Sequence, residues 1–324
     1  MAHLTPAQVE QFKEQGYLLV EGVLDPEQDL DPIIEEYKGV LDRLAEELYE
    51  RGEISSTYAT LPFGPRLTQI YAESGKVHAQ YFDFSLPKGN IREDTPMWVG
   101  PAVFKAMRNP KLLDAVESLI GPEIYSNPVQ HVRIKPPEHL TPKDPKTGQI
   151  QLGKTPWHQD NGVVLPEADE TDMLTVWFPL LDATVENGCL EVVPYSHCEG
   201  LLSHCPSGLG LHIPDQLFRK GDAIPQPMKR GDILFMHRLT CHASLPNLSN
   251  DIRWSFDLRY NPTGQPTGRG AFPGFVARSR SQPETELRAP EQWAELWYEA
   301  RRNLAQQNFN GAFDRWNGDE PACA

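Results

Sequence analysis

Cysteine is scarce in this chain, and its spacing does not suggest a metal or disulfide scaffold. The 324 residues contain five cysteines: Cys189, Cys198, Cys205, Cys241 and Cys323. The count is odd and there is no C-x-x-C pair, so neither a disulfide framework nor a structural zinc site is indicated. We therefore expect all five to be reduced thiols.

Long apolar runs are also missing. No stretch approaches the roughly 20 apolar residues that a membrane-spanning helix needs. The N-terminus, Met-Ala-His-Leu-Thr-Pro, lacks the apolar core of a secretory signal. We expect a cytoplasmic protein without a membrane partner.

Positive charge is in short supply. Lysine and arginine total 30 against 45 aspartates and glutamates, which gives a net charge of −15. Nucleic acids and anionic membrane surfaces are bound by clustered cations. We therefore expect neither as a partner and attribute the acidity to solubility.

The pattern that is present changes from helices to short strands along the chain. We expect one domain over residues 1–324, with a helical part over about 1–125, a β core over about 126–262 and a C-terminal extension over 263–324. The first predicted helix begins at Thr5-Pro6. Further predicted helices cover 31–52, 101–107, 110–120 and 290–305, and two shorter ones lie near 66–83. Predicted strands cover 17–20, 128–135, 150–156, 174–181, 189–193, 232–236, 241–244 and 252–260. Many short strands with proline-rich turns indicate a sandwich or barrel.

A metal-ligand pattern lies at His158-Gln159-Asp160. On an extended strand the side chains of residues two apart share one face, so this imidazole and carboxylate project together. Two histidines and one carboxylate form the facial triad that holds Fe(II) and leaves coordination positions open. His242 is the expected third ligand. His237, on the preceding strand, is the strongest rival.

The last predicted strand supplies a cation near this metal pattern. Ile252, Trp254, Phe256, Leu258 and Tyr260 alternate with Arg253, Ser255, Asp257 and Arg259, which predicts one apolar and one polar face. Arg253 is eleven residues (253 − 242) after His242. One strand, one turn and one return strand bring its guanidinium near the metal, where it can bind a carboxylate through two hydrogen bonds.

These segments resemble the phytanoyl-CoA dioxygenase (PhyH) family of Fe(II)/2-oxoglutarate-dependent oxygenases. The resemblance covers about residues 5–260 and is carried by the segments 12–20, 156–160, 175–182, 187–197 and 231–253, with Ala243 where the family usually has glycine. It implies a mainly β fold, a double-stranded β-helix (jelly roll) with the N-terminal helices packed outside. It also implies Fe(II), 2-oxoglutarate and O2 as metal and cosubstrates, with Arg253, Ser244 and Trp177 at the 2-oxoglutarate site.

The implied reaction hydroxylates an unactivated C–H bond of a small molecule while 2-oxoglutarate is decarboxylated to succinate. Asp160 stands where related halogenases have alanine or glycine, so chlorination is not expected. Desaturation, epoxidation, cyclisation and demethylation remain alternatives, as does a metal-binding homologue without turnover. Neither the primary substrate nor the oligomeric state is indicated.

One further strand offers cations. His131, Arg133 and Lys135 share a face of the predicted strand 128–135, which the resemblance places beside the site. A row of charges facing solvent is the plainer interpretation, and we favour it slightly for Lys135. If Arg133 points inward, it can bind the cosubstrate or an anionic group of the substrate. We therefore expect a modest preference for anionic substrates, with Asp257 as a possible internal partner for these cations or for Arg259.

Overall fold

Helices occupy the first part of the chain and its C-terminal region. The structure is a computed structural model that describes residues 3–208, 210–306 and 313–323. Within these residues the α-helices are α1 (Pro6–Gln15), α2 (Asp31–Glu50), α3 (Phe63–Ser74), α4 (Pro101–Met107), α5 (Pro110–Ile120) and α6 (Pro290–Gln306). Thr5 caps α1 by accepting from the Gln8 N–H. No helix in the described ranges is both long and apolar enough to cross a membrane.

Strands dominate the middle of the chain. They are β1 (Tyr17–Val20), β2 (Glu123–Lys135), β3 (Leu174–Pro179), β4 (Leu190–Val192), β5 (Cys205–Ser207), β6 (Gly210–His212), β7 (Ile224–Gln226), β8 (Ile233–His237), β9 (His242–Ser244), β10 (Arg253–Pro262) and β11 (Phe275–Ser279). A six-stranded sheet has the order β1-β8-β3-β10-β2-β11, a three-stranded sheet the order β7-β4-β9, and β5 pairs with β6. This mainly β architecture with outer helices confirms the jelly-roll expectation.

The outer face of the six-stranded sheet packs on the helices. On β10, Trp254, Phe256, Leu258 and Tyr260 are at most 1% exposed and belong to the main hydrophobic core. Trp254 lies edge-on to Tyr37 of α2, with ring centroids 5.4 Å apart, and stacks on Phe63 of α3 at 4.5 Å. The alternation in the sequence therefore correctly predicted which side chains of β10 form its apolar face.

The inner face of the same sheet carries the polar residues. Antiparallel pairing sets Arg253 opposite Lys135, Ser255 opposite Arg133 and Asp257 opposite His131. On the other side of β10, Asp257 pairs with Trp177 and Arg259 with Thr175 of β3. Directly paired residues point to the same face, so side chains from three central strands project together toward the small sheet.

Several expected elements differ in the structure. Residues 150–156 form no strand and contribute only an isolated bridge between Ile150 and Lys143. The two helices expected near 66–83 are α3 and a single turn at Ala79–Tyr81. The strands β5, β6, β7 and β11 were not predicted, and three of them are only three residues long, too short to show a clear alternation.

The C-terminal extension docks on the rest of the chain through α6. Trp293 and Trp297 are fully buried: Trp293 contacts Phe104 of α4 at a centroid distance of 5.6 Å, and Trp297 contacts Phe272 of the extension itself at 5.5 Å. The division into one domain with three parts stays a prediction.

The expectation of five free thiols is wrong for one pair. Cys205 and Cys323 form a disulfide with a Cα–Cα distance of 5.4 Å, whereas Cys189, Cys198 and Cys241 are free. The two bonded cysteines are 118 residues apart, so only the tertiary fold could reveal the pairing. The bond ties the end of the C-terminal segment 313–323 to the β5–β6 hairpin.

Candidate metal and cosubstrate site

The structure brings His158, Asp160 and His242 together between the two main sheets. His158 and His242 exchange backbone hydrogen bonds of 3.0 Å across an antiparallel bridge, which sets their rings side by side. Asp160 Oδ1 lies 3.9 Å from His158 Nε2 and 4.0 Å from His242 Nε2. Within the described ranges these three residues form the one group of histidine, cysteine or acidic side chains close enough to share a metal ion.

Both imidazoles are held by the backbone in the same way. Nδ1 of His158 lies 2.8 Å from the Pro156 carbonyl, and Nδ1 of His242 lies 2.9 Å from the Thr240 carbonyl. A carbonyl only accepts, so each Nδ1 carries a proton, and Nε2 is the ring nitrogen that can face a metal. This is the usual support for a histidine that binds a metal through Nε2. Burial, followed by the neighbouring His242, lowers the pKa of His158 well below its ordinary value, which favours the neutral ligand form.

Asp160 is ionised and tightly held. Its side chain is fully buried, where it accepts from Thr175 Oγ1 and from the Arg259 guanidinium. Burial alone would raise the pKa of Asp160, but the charge of Arg259 and the two imidazoles hold it well below its usual range. Two imidazoles and a carboxylate form a set of nitrogen and oxygen donors that fits Fe(II) and leaves coordination positions free.

Arg259 and Thr175 are the site residues that sequence reasoning missed. The sequence placed Arg259 on the polar face of the last strand, with Asp257 as its candidate partner, and assigned it no ligand. It donates to Asp160 and to the Val129 carbonyl at 2.8 Å, and it lies 3.5 Å from Asp257, the pairing considered from the alternation. A buried carboxylate needs partners, which was the available signal for a nearby cation.

Arg253 is a buried cation without a carboxylate. It is 1% exposed, donates from Nε to the Gly188 carbonyl at 3.2 Å and from Nη1 to Ser255 Oγ, and lies 5.6 Å from the Trp177 ring centre. No acidic group of the described segments forms an ion pair with it. Burial and the charge of Arg133 lower its pKa to about 10. A guanidinium in this state is ready for an anionic ligand.

Lys135 and Ser244 lie beside this guanidinium. Lys135 is 3% exposed, which overturns the preference for a solvent-facing side chain at this position. Its Nζ donates to Ser244 Oγ at 2.7 Å and to the Leu245 carbonyl at 3.0 Å. Ser244 Oγ also accepts from the Thr155 N–H at 2.7 Å, so its own proton is left for an oxygen acceptor. Burial and Arg253 lower the pKa of Lys135 well below its ordinary value.

A cavity of about 170 Å³ connects the two groups. Its lining includes His158, His242, Trp177 and Arg253, together with Arg133, whose side chain is exposed at the mouth. His131 also lines it but pairs with Asp83 at 2.7 Å. The two predicted histidine ligands, Trp177 and Arg253 therefore face one space, and Asp160 and Ser244 lie directly behind its lining, next to His242 and Lys135.

His237 lies elsewhere. On β8, Met236 lines the cavity, and strand alternation turns His237 to the opposite face. The His237 ring packs against His197 at 5.2 Å, and its Nδ1 accepts from the Leu239 N–H at 3.2 Å. The rival for the third ligand is not part of the three-residue group.

Comparisons with known proteins identify the family of this chain. The family model described as phytanoyl-CoA dioxygenase (PhyH) matches residues 12–255. A curated relative, the phytanoyl-CoA dioxygenase domain-containing protein 1 homolog of Dictyostelium discoideum, is 26% identical over 79% of this chain and 91% of its own length. The 1-deoxypentalenic acid 11-beta-hydroxylase of Streptomyces arenae is 26% identical over 81% of this chain and 82% of its own length.

A solved structure shows the same fold. The apo form of a non-heme monooxygenase, ThoJ, matches with a TM-score of 0.58 and 20% identity, covering 93% of this chain and all of the other (100%).

Proposed function

The chain belongs to the phytanoyl-CoA dioxygenase (PhyH) family, and on this premise we propose that it hydroxylates an unactivated C–H bond of a small, anionic molecule. The broader chemistry is that of an Fe(II)- and 2-oxoglutarate-dependent oxygenase that uses O2. The hydroxylation outcome, the roles of the individual residues and the charge of the substrate are our proposals.

Arg253 carries the proposal. A buried guanidinium without a carboxylate costs stability unless a ligand supplies the counter-charge. It lies in the same cavity as His158 and His242, and 2-oxoglutarate has a carboxylate at each end. We assign its distal carboxylate to Arg253 and the Ser244 hydroxyl, with Trp177 packed against the chain between the carboxylates.

His158, Asp160 and His242 would hold the iron, which with O2 and 2-oxoglutarate supplies the oxidising chemistry. Arg259 and Thr175 keep the Asp160 carboxylate ionised and fixed in direction. The backbone carbonyls at Pro156 and Thr240 fix the orientation of both imidazoles and leave each Nε2 directed at the metal position. Because Asp160 provides a carboxylate ligand, no coordination position is vacated for chloride, which favours hydroxylation over halogenation.

Substrate charge is the second part of the proposal. Arg133 lies at the cavity mouth and forms no ion pair with an acid of the described ranges, so an anionic group of the substrate suits it. The name of the Streptomyces arenae relative also specifies hydroxylation of an acid. We propose Arg133 as the first substrate contact, although its place next to Arg253 also allows it to bind 2-oxoglutarate.

The decisive experiment is a metabolite screen for substrate-dependent succinate formation by the Fe(II)-loaded protein. Hydroxylation predicts a product heavier than the substrate by one oxygen atom, labelled from 18O2. Succinate formation with a product of another mass, for instance one lacking two hydrogens, would contradict hydroxylation and leave the oxygenase chemistry in place. A protein that binds Fe(II) and 2-oxoglutarate yet forms no succinate across the screen would contradict turnover.

A further inference from the structure

The cavity holds a second cationic group, formed by Lys88 and Arg269. Neither residue belongs to the proposed 2-oxoglutarate site. Both residues line the cavity that contains His158, His242 and Arg253. Neither lies on a strand: Lys88 is in the long segment before α4, and Arg269 is in the loop between β10 and β11. No sequence periodicity could have indicated them.

Arg269 is buried and lacks a carboxylate partner. It is 2% exposed, its Nη2 donates to the Val163 carbonyl at 2.7 Å, and its Nε has no hydrogen-bond partner in the described part of the chain. Its guanidinium lies 5.8 Å from the Phe272 ring centre and 5.4 Å from that of Phe313. Burial lowers its pKa to about 10. A guanidinium held this rigidly, with one edge unsatisfied, is suited to an oxyanion.

Lys88 has one acidic partner, and that partner comes from the C-terminal segment. Its Nζ forms an ion pair with Asp314, the same carboxylate whose charge acts on Arg269. The Lys88 and Asp314 side chains are 40% and 42% exposed, so this ion pair lies at the solvent-facing edge of the cavity. Partial burial and the charges of Arg269 and Arg133 lower the pKa of Lys88 against the effect of Asp314, which raises it, so the three cations are electrostatic neighbours. One carboxylate therefore compensates two cations, with Arg133 close by.

This group is separate from the anchor proposed for 2-oxoglutarate. The charges acting on Arg253 come from Arg133 and Asp257, whereas those acting on Arg269 come from Asp314 and Arg259. When 2-oxoglutarate binds Arg253 and the metal, Arg269 stays buried without a carboxylate partner of its own, and Lys88 keeps only its partly exposed ion pair with Asp314. An anionic group other than the cosubstrate can therefore still bind here.

We propose that Arg269 and Lys88 bind an oxyanion of the primary substrate, a carboxylate or a phosphate, and that Asp314 is the internal counter-charge which this group displaces. The inference rests on the proposed function and deepens it, because it identifies the residues that select an acidic substrate. Arg133, proposed above as the first substrate contact, lines the same cavity, and its charge acts on both Lys88 and Arg253, so it can bind the same anionic group on its way to Arg269 and Lys88.

The C-terminal segment is built to hold Asp314 in place. Arg315 forms a two-bonded ion pair with Asp169, and Trp316 donates from Nε1 to the Gly162 carbonyl at 2.7 Å. Trp316 also stacks on His204 at 5.5 Å, and the Cys205–Cys323 disulfide fixes the far end of the segment. Gly162 and Asp169 follow closely on Asp160, so the segment packs against the loop that begins at the metal ligand.

The test is calorimetric titration of the protein saturated with Mn(II) and 2-oxoglutarate. The probes are inorganic phosphate, cyclohexanecarboxylate and the neutral amide of that acid. The wild type is expected to bind at least one of the two anions and not the amide. A preference for phosphate or for carboxylate then identifies the kind of acid. Failure of both anions to bind, or equal binding of the acid and its amide, would overturn the inference.

The variants separate this site from general effects. Arg269→Gln and Lys88→Met should weaken anion binding by on the order of tenfold, the scale of one charge-assisted hydrogen bond. Arg301→Gln is the matched control, because Arg301 also donates to a backbone carbonyl (Thr95, 2.9 Å), lies 5.3 Å from an aromatic ring centre and has an unpaired Nε, but is outside the cavity. Equal anion affinity in Arg269→Gln and wild type would contradict the assignment.

Asp314→Asn is expected to increase anion affinity, a change that a misfolded variant would not show. Removing the internal carboxylate frees both cations, so anion affinity should rise severalfold; a fall would refute the role of Asp314. The Mn(II) and 2-oxoglutarate titrations made beforehand keep the two proposals apart. Wild type that fails to bind 2-oxoglutarate would count against the proposed function, whereas intact cosubstrate binding with unaltered anion binding in the variants would count against this inference alone.

Discussion

The two faces of β10 are both buried but differ in polarity. The outer face carries large apolar side chains packed on α2 and α3, and the free energy it contributes comes from burial. The inner face carries Arg253, Ser255, Asp257 and Arg259, three of them charged, and Arg253 and Arg259 are as deeply buried as the aromatic residues behind them. The outer face stabilises the protein without a ligand, whereas the inner face becomes fully compensated only when ligands are bound.

The largest effect is expected at the metal ligands on the inner side. His158→Ala or His242→Ala should abolish stoichiometric Fe(II) binding and turnover, since two ligands do not hold the metal in a facial site. Circular dichroism should show the fold largely retained. His237→Ala is the control, because this side chain points away from the site. Loss of iron in His237→Ala with iron retained in His242→Ala would reverse the assignment.

On the outer face, Trp254→Ala should lower the free energy of unfolding by about 3–5 kcal/mol, the usual cost of removing a large buried aromatic side chain. The matched inner-face change, Arg253→Met, should leave the stability of the ligand-free protein equal or higher, because it replaces a buried unpaired cation with an apolar side chain. Urea unfolding measures both variants. If Arg253→Met is as destabilising as Trp254→Ala, the contrast between the faces does not hold.

Acid should lower the stability of the folded protein through His204, which holds the backbone at Gln159, between His158 and Asp160. Its Nε2 accepts from the Gln159 N–H at 2.9 Å and its Nδ1 lies 2.8 Å from the Leu202 carbonyl, so the neutral ring is satisfied and a proton on Nε2 would break the first bond. Burial lowers the pKa of His204 from 6.5 to about 4.

Between these two pKa values the unfolded chain binds a proton that the folded protein does not. His204 therefore reduces stability as the pH falls from 6.5 toward 4, by about 3 kcal/mol in total. His204→Gln keeps an acceptor that does not titrate and should remove this share of the pH dependence, measured by urea unfolding at several pH values. Identical slopes in the variant and the wild type would show that folding does not lower the pKa of His204.

A smaller effect is expected from Arg253→Lys, which keeps the charge but loses the planar fork. The affinity for 2-oxoglutarate should fall by about 1–3 kcal/mol, measured by titration with Mn(II) present. Arg301→Lys, on α6, should have no effect. An unchanged Michaelis constant for 2-oxoglutarate in Arg253→Lys would contradict its role as the anchor.

The smallest effect is expected at Arg133, whose exposed side chain is screened by water. An acidic substrate should react faster than its methyl ester in the wild type, and Arg133→Ala should reduce that advantage by no more than about 1 kcal/mol. Competition kinetics with the acid and ester in one reaction measure the ratio directly. Equal rates for the acid and the ester in the wild type would show that the cavity does not select for charge.

Local sequence patterns were sufficient for the parts of the fold that repeat. The alternation in 252–260 determined which face of β10 meets the helices, because burial of alternate side chains is a property of any half-buried strand. The spacing of His158 and Asp160 and the family segments around His242 and Arg253 predicted which residues gather at the site.

Only the tertiary structure decided which distant charges compensate each other. Arg259 meets Asp160 across 99 residues, Lys88 meets Asp314 across 226, and Cys205 meets Cys323 across 118. Each pairing joins separate loops or strands, and no local period connects them. An arginine in the sequence has the same chemistry wherever it stands; the surrounding low-dielectric cavity decides whether it is a solvated surface charge, a support for a ligand or a cation that needs a substrate.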